Sequence, residues 1–320
     1  MKEKNRRLKK IITATSIGLL VIIIVIAVVF CIMKNRKYKY HVNENGTITI
    51  DKYLGHETDV VIPERIRGIE VTEVGLCCFE DNESVVYIHV PSSVNCIGVY
   101  AFASCPSLEK VTGGEGVKII PMGTFRIDKK LTSVPDFSNV EMIMNSAFLG
   151  CDSLKEITVS DKLRYIGVLA FSDTGISYSI IPDSMETLGT YAFSKTEYIN
   201  EKDDFIIVGD GILINYPDIE TVEVPEGIKF VTTCKSGIKK VKKFIVPNTA
   251  TFVDYAILEK TEDSVIYIPE SVEKIGKYFN YEYEETAFLD VIKIYGIEGS
   301  YAQEYAKRYG IEFEAVEPWY

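Results

Sequence analysis

The hydrophobic pattern of this chain has two regimes. Residues 11–33, IITATSIGLLVIIIVIAVVFCIM, carry no charge at all. As a helix rising 1.5 Å per residue they would span about 35 Å, enough to cross a bilayer core. The run is apolar on every face, which does not suit a surface helix packed on a core. It is longer than the apolar stretch of a cleaved leader, and it exits through Phe30-Cys31-Ile32-Met33 with no small-x-small site. Phe30 is also bulky where lipid attachment at Cys31 would want a small residue. The pattern predicts an uncleaved signal anchor: residues 1–10 a cytoplasmic tail, 11–33 a single transmembrane helix, 34–40 a juxtamembrane linker.

Beyond the linker the apolar positions recur with a period. Phe79, Phe102, Phe125, Phe148, Phe171 and Phe193 are spaced by 23, 23, 23, 23 and 22 residues. A small residue precedes each: Cys78, Ala101, Thr124, Ala147, Ala170 and Ala192. A second column runs Val85, Leu108, Leu131, Leu154, a third Ile88, Val111, Val134, Ile157, and a fourth Ile97, Ile120, Ile143, Ile166, Leu188. Pro91 and Pro182 fall in the array, and Pro225, Pro247 and Pro269 follow at spacings of 22. A unit this short cannot bury its apolar face alone, so stacked units must share one core, with the Phe column as its ladder of rings. Segments such as VYIHV (86–90) and EITV (156–159) alternate apolar and polar residues, as half-buried strands do.

These residues carry a family resemblance. LGHETDVVIPERIRGIEVTEVG (54–75), VPSSVNCIGVYAFASCPSLEKV (90–111) and AFLGCDSLKEITV (147–159) resemble BspA-type (Treponema pallidum-type) leucine-rich repeats of bacterial cell-surface proteins. YHVNENGTITIDKYLG (40–55) resembles the lead-in to such arrays, FIIVGDGILINYPDIETVEVPEGI (205–228) the spacer that interrupts them, and GIEGSYAQEYAKRYGIEF (296–313) their ending. The expected architecture is a single N-terminal transmembrane helix, then a β-rich solenoid with rungs of 22–23 residues and a short C-terminal capping helix. Residues 41–58 form the N-terminal cap, 59–198 regular repeats, 199–218 an irregular spacer, 219–298 degenerate repeats in which the Ala-Phe pair no longer recurs with the period, and 299–320 the C-terminal cap. Gly46 and Gly55 give the first cap a hairpin reading. Ser300-x-x-Gln303 is a capping-box pattern and Gly310 suits a helix end, which places the last helix at 301–309.

Charge sharpens the picture. Residues 1–39 hold ten Lys/Arg and one acid, leaving 25 basic and 45 acidic residues in 40–320, a net of about −20. Such a body repels phosphate backbones, and nucleic acid is not an expected partner. Six of the ten bases precede the apolar run and four follow it, which favours a cytoplasmic N-terminus and an extracytoplasmic solenoid at the plasma membrane.

Catalytic readings dissolve against the period. Cys105 and Cys151 share one repeat position two units apart, too far to bridge and more suited to packing than to attack. Ser107-Leu-Glu-Lys110 matches S-x-x-K, but Lys110 aligns with Glu156, and the partner motifs S-D-N and K-T-G are absent from the sequence. The three histidines, His41, His56 and His89, form no ligand pair, and the Asp203-Asp204 and Asp210 cluster lacks an EF-hand pattern. The expectation is no enzyme, no cofactor and no metal.

What remains is surface. On each strand the residues flanking the inward Ile or Val point outward. Read down the stack they are Tyr87 and His89, Lys110 and Thr112, Ser133 and Pro135, Glu156 and Thr158, Tyr178 and Ile180. Tyr87, His89, Lys110, Thr112, Glu156, Thr158 and Tyr178 are the candidate interaction face. A protein or glycan at the cell envelope or on a host surface is the expected ligand, and the resemblance implies adhesion. The alternative is an architectural envelope protein with no dedicated ligand.

Overall fold

The computed structural model describes residues 22–23, 37–200, 203–236, 238–259, 261, 263–279, 282–288 and 290–318. The expected tail and almost all of the expected anchor lie outside the described residues. Among the described residues no helix is long and apolar enough to cross a membrane. The described chain is a β-solenoid of about 11 turns with a repeat near 23 residues, ending in a short helix.

The stack begins earlier than the expected linker allows. Tyr38–Val42 is already a strand, paired antiparallel with Ile48–Tyr53 around Gly46. Ile48–Tyr53 then pairs in parallel with Ile69–Val74, and the first sheet grows one short strand per turn. Cys96–Ile97 ends that hydrogen-bonded run, and Ile119–Ile120, Met142–Ile143, Tyr165–Ile166 and Thr187–Leu188 continue the same side as a separate four-stranded run, each strand presenting one buried Ile or Leu from the fourth column.

These strands are two residues long because the chain turns at once into the Ala-Phe segment. There the six Phe rings stack with centroids 5.2–5.5 Å apart. Tyr53 and Tyr38 extend the ladder upward at 4.8 and 5.4 Å, two rings the period did not reveal. The backbone stacks with the rings: the N–H of Phe102 donates to the carbonyl of Thr124 (3.0 Å), Phe125 to Ala147 (2.8 Å), and Phe148 to Ala170 (2.8 Å). Each Phe is bracketed by left-handed residues two places before and two places after it. Tyr100 and Ser104 flank Phe102 with φ 56° and 57°, and Gly123 and Ile127 flank Phe125 with φ 64° and 66°. Most of these residues are not glycine, so every turn carries backbone strain that the ring and hydrogen-bond ladders must outweigh.

The second sheet holds the Pro-linked strands. Asp59–Val61, Tyr87–Val90 and Lys110–Gly113 pair in parallel, and then the sheet stops. EITV (156–159), expected as a strand, is irregular apart from one bridge between Phe137 and Val159, and Tyr178–Ile180 is a 3-10 turn. The cause is local. Val90 is buried, but the next two turns place Gly113 and Asp136 at its position. Phe137, one residue on, fills the hole instead, its ring 6.1 Å from that of Phe148. The register slips accordingly: Lys110 bridges Ser133, 23 residues on, whereas Phe137 bridges Val159, 22 residues on. Gly113 ends the last regular strand with φ 79°, its Cα so close to Val90 that a Cβ would meet that carbonyl oxygen at 1.8 Å.

The spacer is not irregular. Ile206–Val208 and Ile212–Asn215 form an antiparallel hairpin that starts a second array as 38–53 starts the first. The first sheet resumes through Phe230–Val231, Phe252–Asp254 and Lys274–Phe279. The second sheet resumes through Thr221–Glu223, Lys243–Ile245, Ser264–Ile268 and Val291–Gly296. A separate apolar core forms here around Val222, Phe244, Ile266 and Ile294.

Two carboxyls join the arrays: Glu259, accepting from the Tyr191 hydroxyl, and Asp254, at depth. Asp254 is buried and accepts from the Thr190 hydroxyl (2.6 Å) of the first array and from the Thr232 hydroxyl (3.0 Å) and Ala256 N–H (2.9 Å) of the second. Burial pushes its pKa up to about 6 against these three donors.

At the far end Tyr301–Tyr309 is helical, buries Ala302, Tyr305 and Ala306, and stops at Gly310 in the left-handed region. The capping box is not made: the Ser300 side chain makes no cap bond, and Gln303 reaches one residue past the cap to accept from the N–H of Gly299 (2.8 Å). A further strand, Glu312–Ala315, pairs with Val291–Gly296 after the helix, so the last edge is a strand bearing the exposed charges Glu312 and Glu314.

Candidate interaction face

Alternation on the second sheet decides which side chains reach solvent. Ile88 and Val90 are buried, so Tyr87 and His89 face outward, and in the next turn Val111 is buried and Lys110 and Thr112 face outward. Parallel pairing sets Tyr87 beside Lys110 and His89 beside Thr112. The Thr112 hydroxyl lies 2.7 Å from the Tyr87 oxygen and 3.0 Å from His89 Nδ1, so the three side chains are locked as one polar cluster. These four candidates stand together.

The other three do not continue the row. Glu156 and Thr158 lie beyond the break, on the rim of a groove of about 570 Å³ shared with Ser133, Val134 and Asp136. Tyr178 opens the 3-10 turn, capped by the Ser177 hydroxyl accepting from Ser179 N–H at 3.2 Å.

The row reappears on the second array, among residues the sequence reading did not single out. Lys243 Nζ sits 4.3 Å from the Tyr267 ring centroid, Tyr267 stacks on Tyr295 at 4.4 Å, and Lys293 lies 5.5 Å from the Tyr295 ring. Lys293 also pairs with Glu312 (2.6 Å) and Glu314 (3.1 Å), and those hydrogen bonds raise its pKa, Glu312 foremost. Glu223, Glu226, Lys243, Ile245 and Tyr267 line a recess of about 170 Å³ beside this ladder. The signal was present in the proline column. His89 stands two residues before Pro91, and Glu223, Ile245 and Tyr267 stand two before Pro225, Pro247 and Pro269.

The chemical candidates sit in packing positions. Cys105 Sγ donates to the Phe79 carbonyl (3.2 Å) and Cys151 Sγ to the Phe125 carbonyl (2.9 Å), and burial pushes both thiols up, away from the thiolate. Between them in the same column Asp128 is buried, with Oδ1 accepting from Cys105 N–H at 2.7 Å and its pKa raised by desolvation. Cys78 and Cys234 are pushed up by burial to about 12. Cys96 is exposed because it is the outward residue of a two-residue strand. Among the described residues no three His, Cys, Asp or Glu side chains gather as a metal site.

The fold is thus that of a leucine-rich-repeat solenoid, an architecture that presents a surface for protein interaction. The description of the BspA type leucine rich repeat region matches residues 58–177 and 166–287 in six copies, and the chain belongs to that family. Solved structures resemble it at low identity. A leucine rich cell surface protein from Faecalibacterium prausnitzii is 22% identical, with 84% of this chain and 95% of that chain covered and a TM-score of 0.44. A leucine-rich repeat protein from Bacteroides ovatus is 24% identical, with 87% and 66% covered and a TM-score of 0.49. The pneumococcal vaccine antigen PcpA is 15% identical, with 88% and 97% covered and a TM-score of 0.37. Comparison with curated proteins found no match.

Proposed function

We propose that the chain is a membrane-anchored, extracytoplasmic interaction module of the bacterial envelope, non-catalytic, with a protein or glycan ligand held on the outer face of the second sheet. The observation that carries this reading is the Tyr87–His89–Thr112 cluster with Lys110. Side chains that could point independently into water are tied into one preorganised patch, and the same row returns as the Lys243–Tyr267–Tyr295 ladder. The uncharged run 11–33 supports the anchor, and the excess of bases before it supports a cytoplasmic N-terminus. Adhesion is the role most in keeping with the family's cell-surface members.

An architectural role is the second reading. About 11 turns at roughly 4.8 Å make a rod of only about 50 Å behind a short linker, better matched to the near envelope than to a distant cell.

Two measurements test these readings. Protease added to intact cells should remove the body, and full protection overturns the topology. The full chain in nanodiscs, assayed against envelope proteins, wall glycans and host matrix, should show saturable binding that Tyr87→Ala with Lys110→Ala, or Tyr267→Ala with Tyr295→Ala, abolishes. Absence of any saturable ligand favours the architectural role.

A further inference from the structure

The break in the second sheet is more than an irregularity. Elsewhere on this side each turn hands its backbone donors to the turn above. The N–H of Tyr87 donates to Thr58, Lys110 to Val86, and Ser133 to Glu109. The sequence stops there. Among the described residues no backbone acceptor meets the N–H groups of Glu156, Ile157 and Thr158. The side chains beneath are also left open: Val134 and Ile157 are half-buried, whereas their counterparts Ile88 and Val111 are buried. The one-residue slip that seats Phe137 in the core leaves this turn joined to the one before it only at that end, where the Phe137 N–H donates to the Thr158 carbonyl (3.3 Å), and open toward Ser133 and Glu156. The resulting groove is rimmed by the carboxylates of Asp136 and Glu156 and by the small polar groups of Ser133 and Thr158, with no cation among its lining residues.

Unpaired strand donors, half-open apolar positions and a rim of one charge sign specify a complementary ligand. We propose that this groove is a docking slot for an extended polypeptide segment of a partner, apolar at its centre and flanked by Lys or Arg, which adds as a strand along residues 156–158. The ligand's main-chain carbonyls take the donors of Glu156 and Thr158, alternate N–H groups on one edge, its apolar side chains cover Val134 and Ile157, and its flanking bases meet Asp136 and Glu156. A glycan would present hydroxyls at irregular spacing and would leave the apolar positions uncovered. The inference rests on the interaction reading above and names the class of ligand for one part of the face.

The test uses the full chain in nanodiscs and a displayed library of random 12-residue peptides. Enriched peptides should alternate apolar residues between flanking bases. Hydrogen exchange of the chain with a synthetic enriched peptide should slow at Glu156 and Thr158. N-methylation of the central peptide amides and carbonyl-to-ester replacement in the peptide should weaken binding at least tenfold, as should Glu156→Pro, which removes one donor from an exposed position. The peptide chemistry keeps the test decisive if the proline variant folds poorly. Peptides that bind but protect Tyr87–Thr112 or Lys243–Tyr295 overturn the slot and leave the interaction module standing, and so does a saturable glycan with no enriched peptide. No enriched peptide and no saturable ligand of any kind overturn both.

Discussion

The two arrays of this rod solve the same stacking problem with different parts. The first, to about residue 200, leans on its turns. Six Phe and two Tyr rings form one ladder, the strands of its first sheet shrink to two residues, and a left-handed residue stands on each side of every Phe. The second array leans on its sheets. Among its described residues there is no Phe ladder in the turns, and from Thr221 onward the strands of its second sheet run three to six residues in parallel register. This array keeps one buried stacked pair, Phe230 and Phe252 at 4.0 Å, and adds an outward one, Tyr267 and Tyr295. A repeat can therefore be held by strained turns around a ring or by a broad backbone ladder. The side that is not needed for holding the stack becomes free to vary: the second sheet opens in the first array, where the turns carry the load.

The comparison can be broken most severely at the ring ladder. Phe148 lies 5.2 Å from both Phe125 and Phe171, so Phe148→Ala should cost about 3–5 kcal/mol. Hydrogen exchange should show protection lost through residues 79–193 and kept over 221–268. Equal loss in both arrays would mean that they are one cooperative unit.

The joint comes next. Asp254 is raised to about 6 from an ordinary 3.8, which corresponds to about 3 kcal/mol. Below about pH 4 the folded and unfolded chains both hold this proton, and its stabilisation is fully present. As pH rises to about 6 the unfolded chain sheds the proton first, so stability falls across that window. Lys277 opposes the effect and the surrounding burial drives it. Asp254→Asn should abolish this slope, because the amide still accepts from Ala256 and can donate to Thr190 or Thr232. Urea midpoints at pH 4 and pH 7 for both chains give the answer, and an unchanged slope in the variant would assign the effect to other carboxyls.

The smallest change sharpens the strain argument. Ile127 is β-branched, has φ 66°, and is 39% exposed, while Gly123 and Gly150 occupy equivalent brackets. Ile127→Gly should stabilise the first array by about 1 kcal/mol or less, relief of strain exceeding the entropy cost of glycine. Thermal denaturation measures it, and a lower Tm would mean that the Ile127 side chain packs more than it strains.

Much of this was legible because the period repeats one physical demand per turn. The Phe column and its small neighbour state the ladder outright, and Ser300 to Gly310 state the last helix. Tyr53 and Tyr38 were hidden because a hairpin replaces the repeat that would have aligned them. The left-handed brackets were hidden because only Gly123 and Gly150 betray them, while Leu169 and Tyr191 accept the same backbone with no compositional mark. Alternation placed Tyr87, His89, Lys110 and Thr112 outward as neighbours on one strand pair, and the structure has them there. It failed beyond Gly113 because alternation in EITV (156–159) promises a strand only if the turn above offers an apolar partner, and Asp136 does not. The interaction between Asp254 and Thr190 joins residues 64 apart and leaves no periodic trace.

The hairpin at Ile206–Asn215 also has a mechanical meaning. Drawn by its two ends, a stack like this yields one turn at a time from whichever end is looser, and each turn of 22 residues releases about 75 Å of slack. The last turns, with no ring ladder, would peel first as a series of even steps. At residue 215 the series meets a strand pair that must be sheared apart before the next turn can leave, and the Asp254 joint has by then been undone. Under such a load the rod would be graded along its length, its C-terminal array extending first and its N-terminal array resisting until the load has risen.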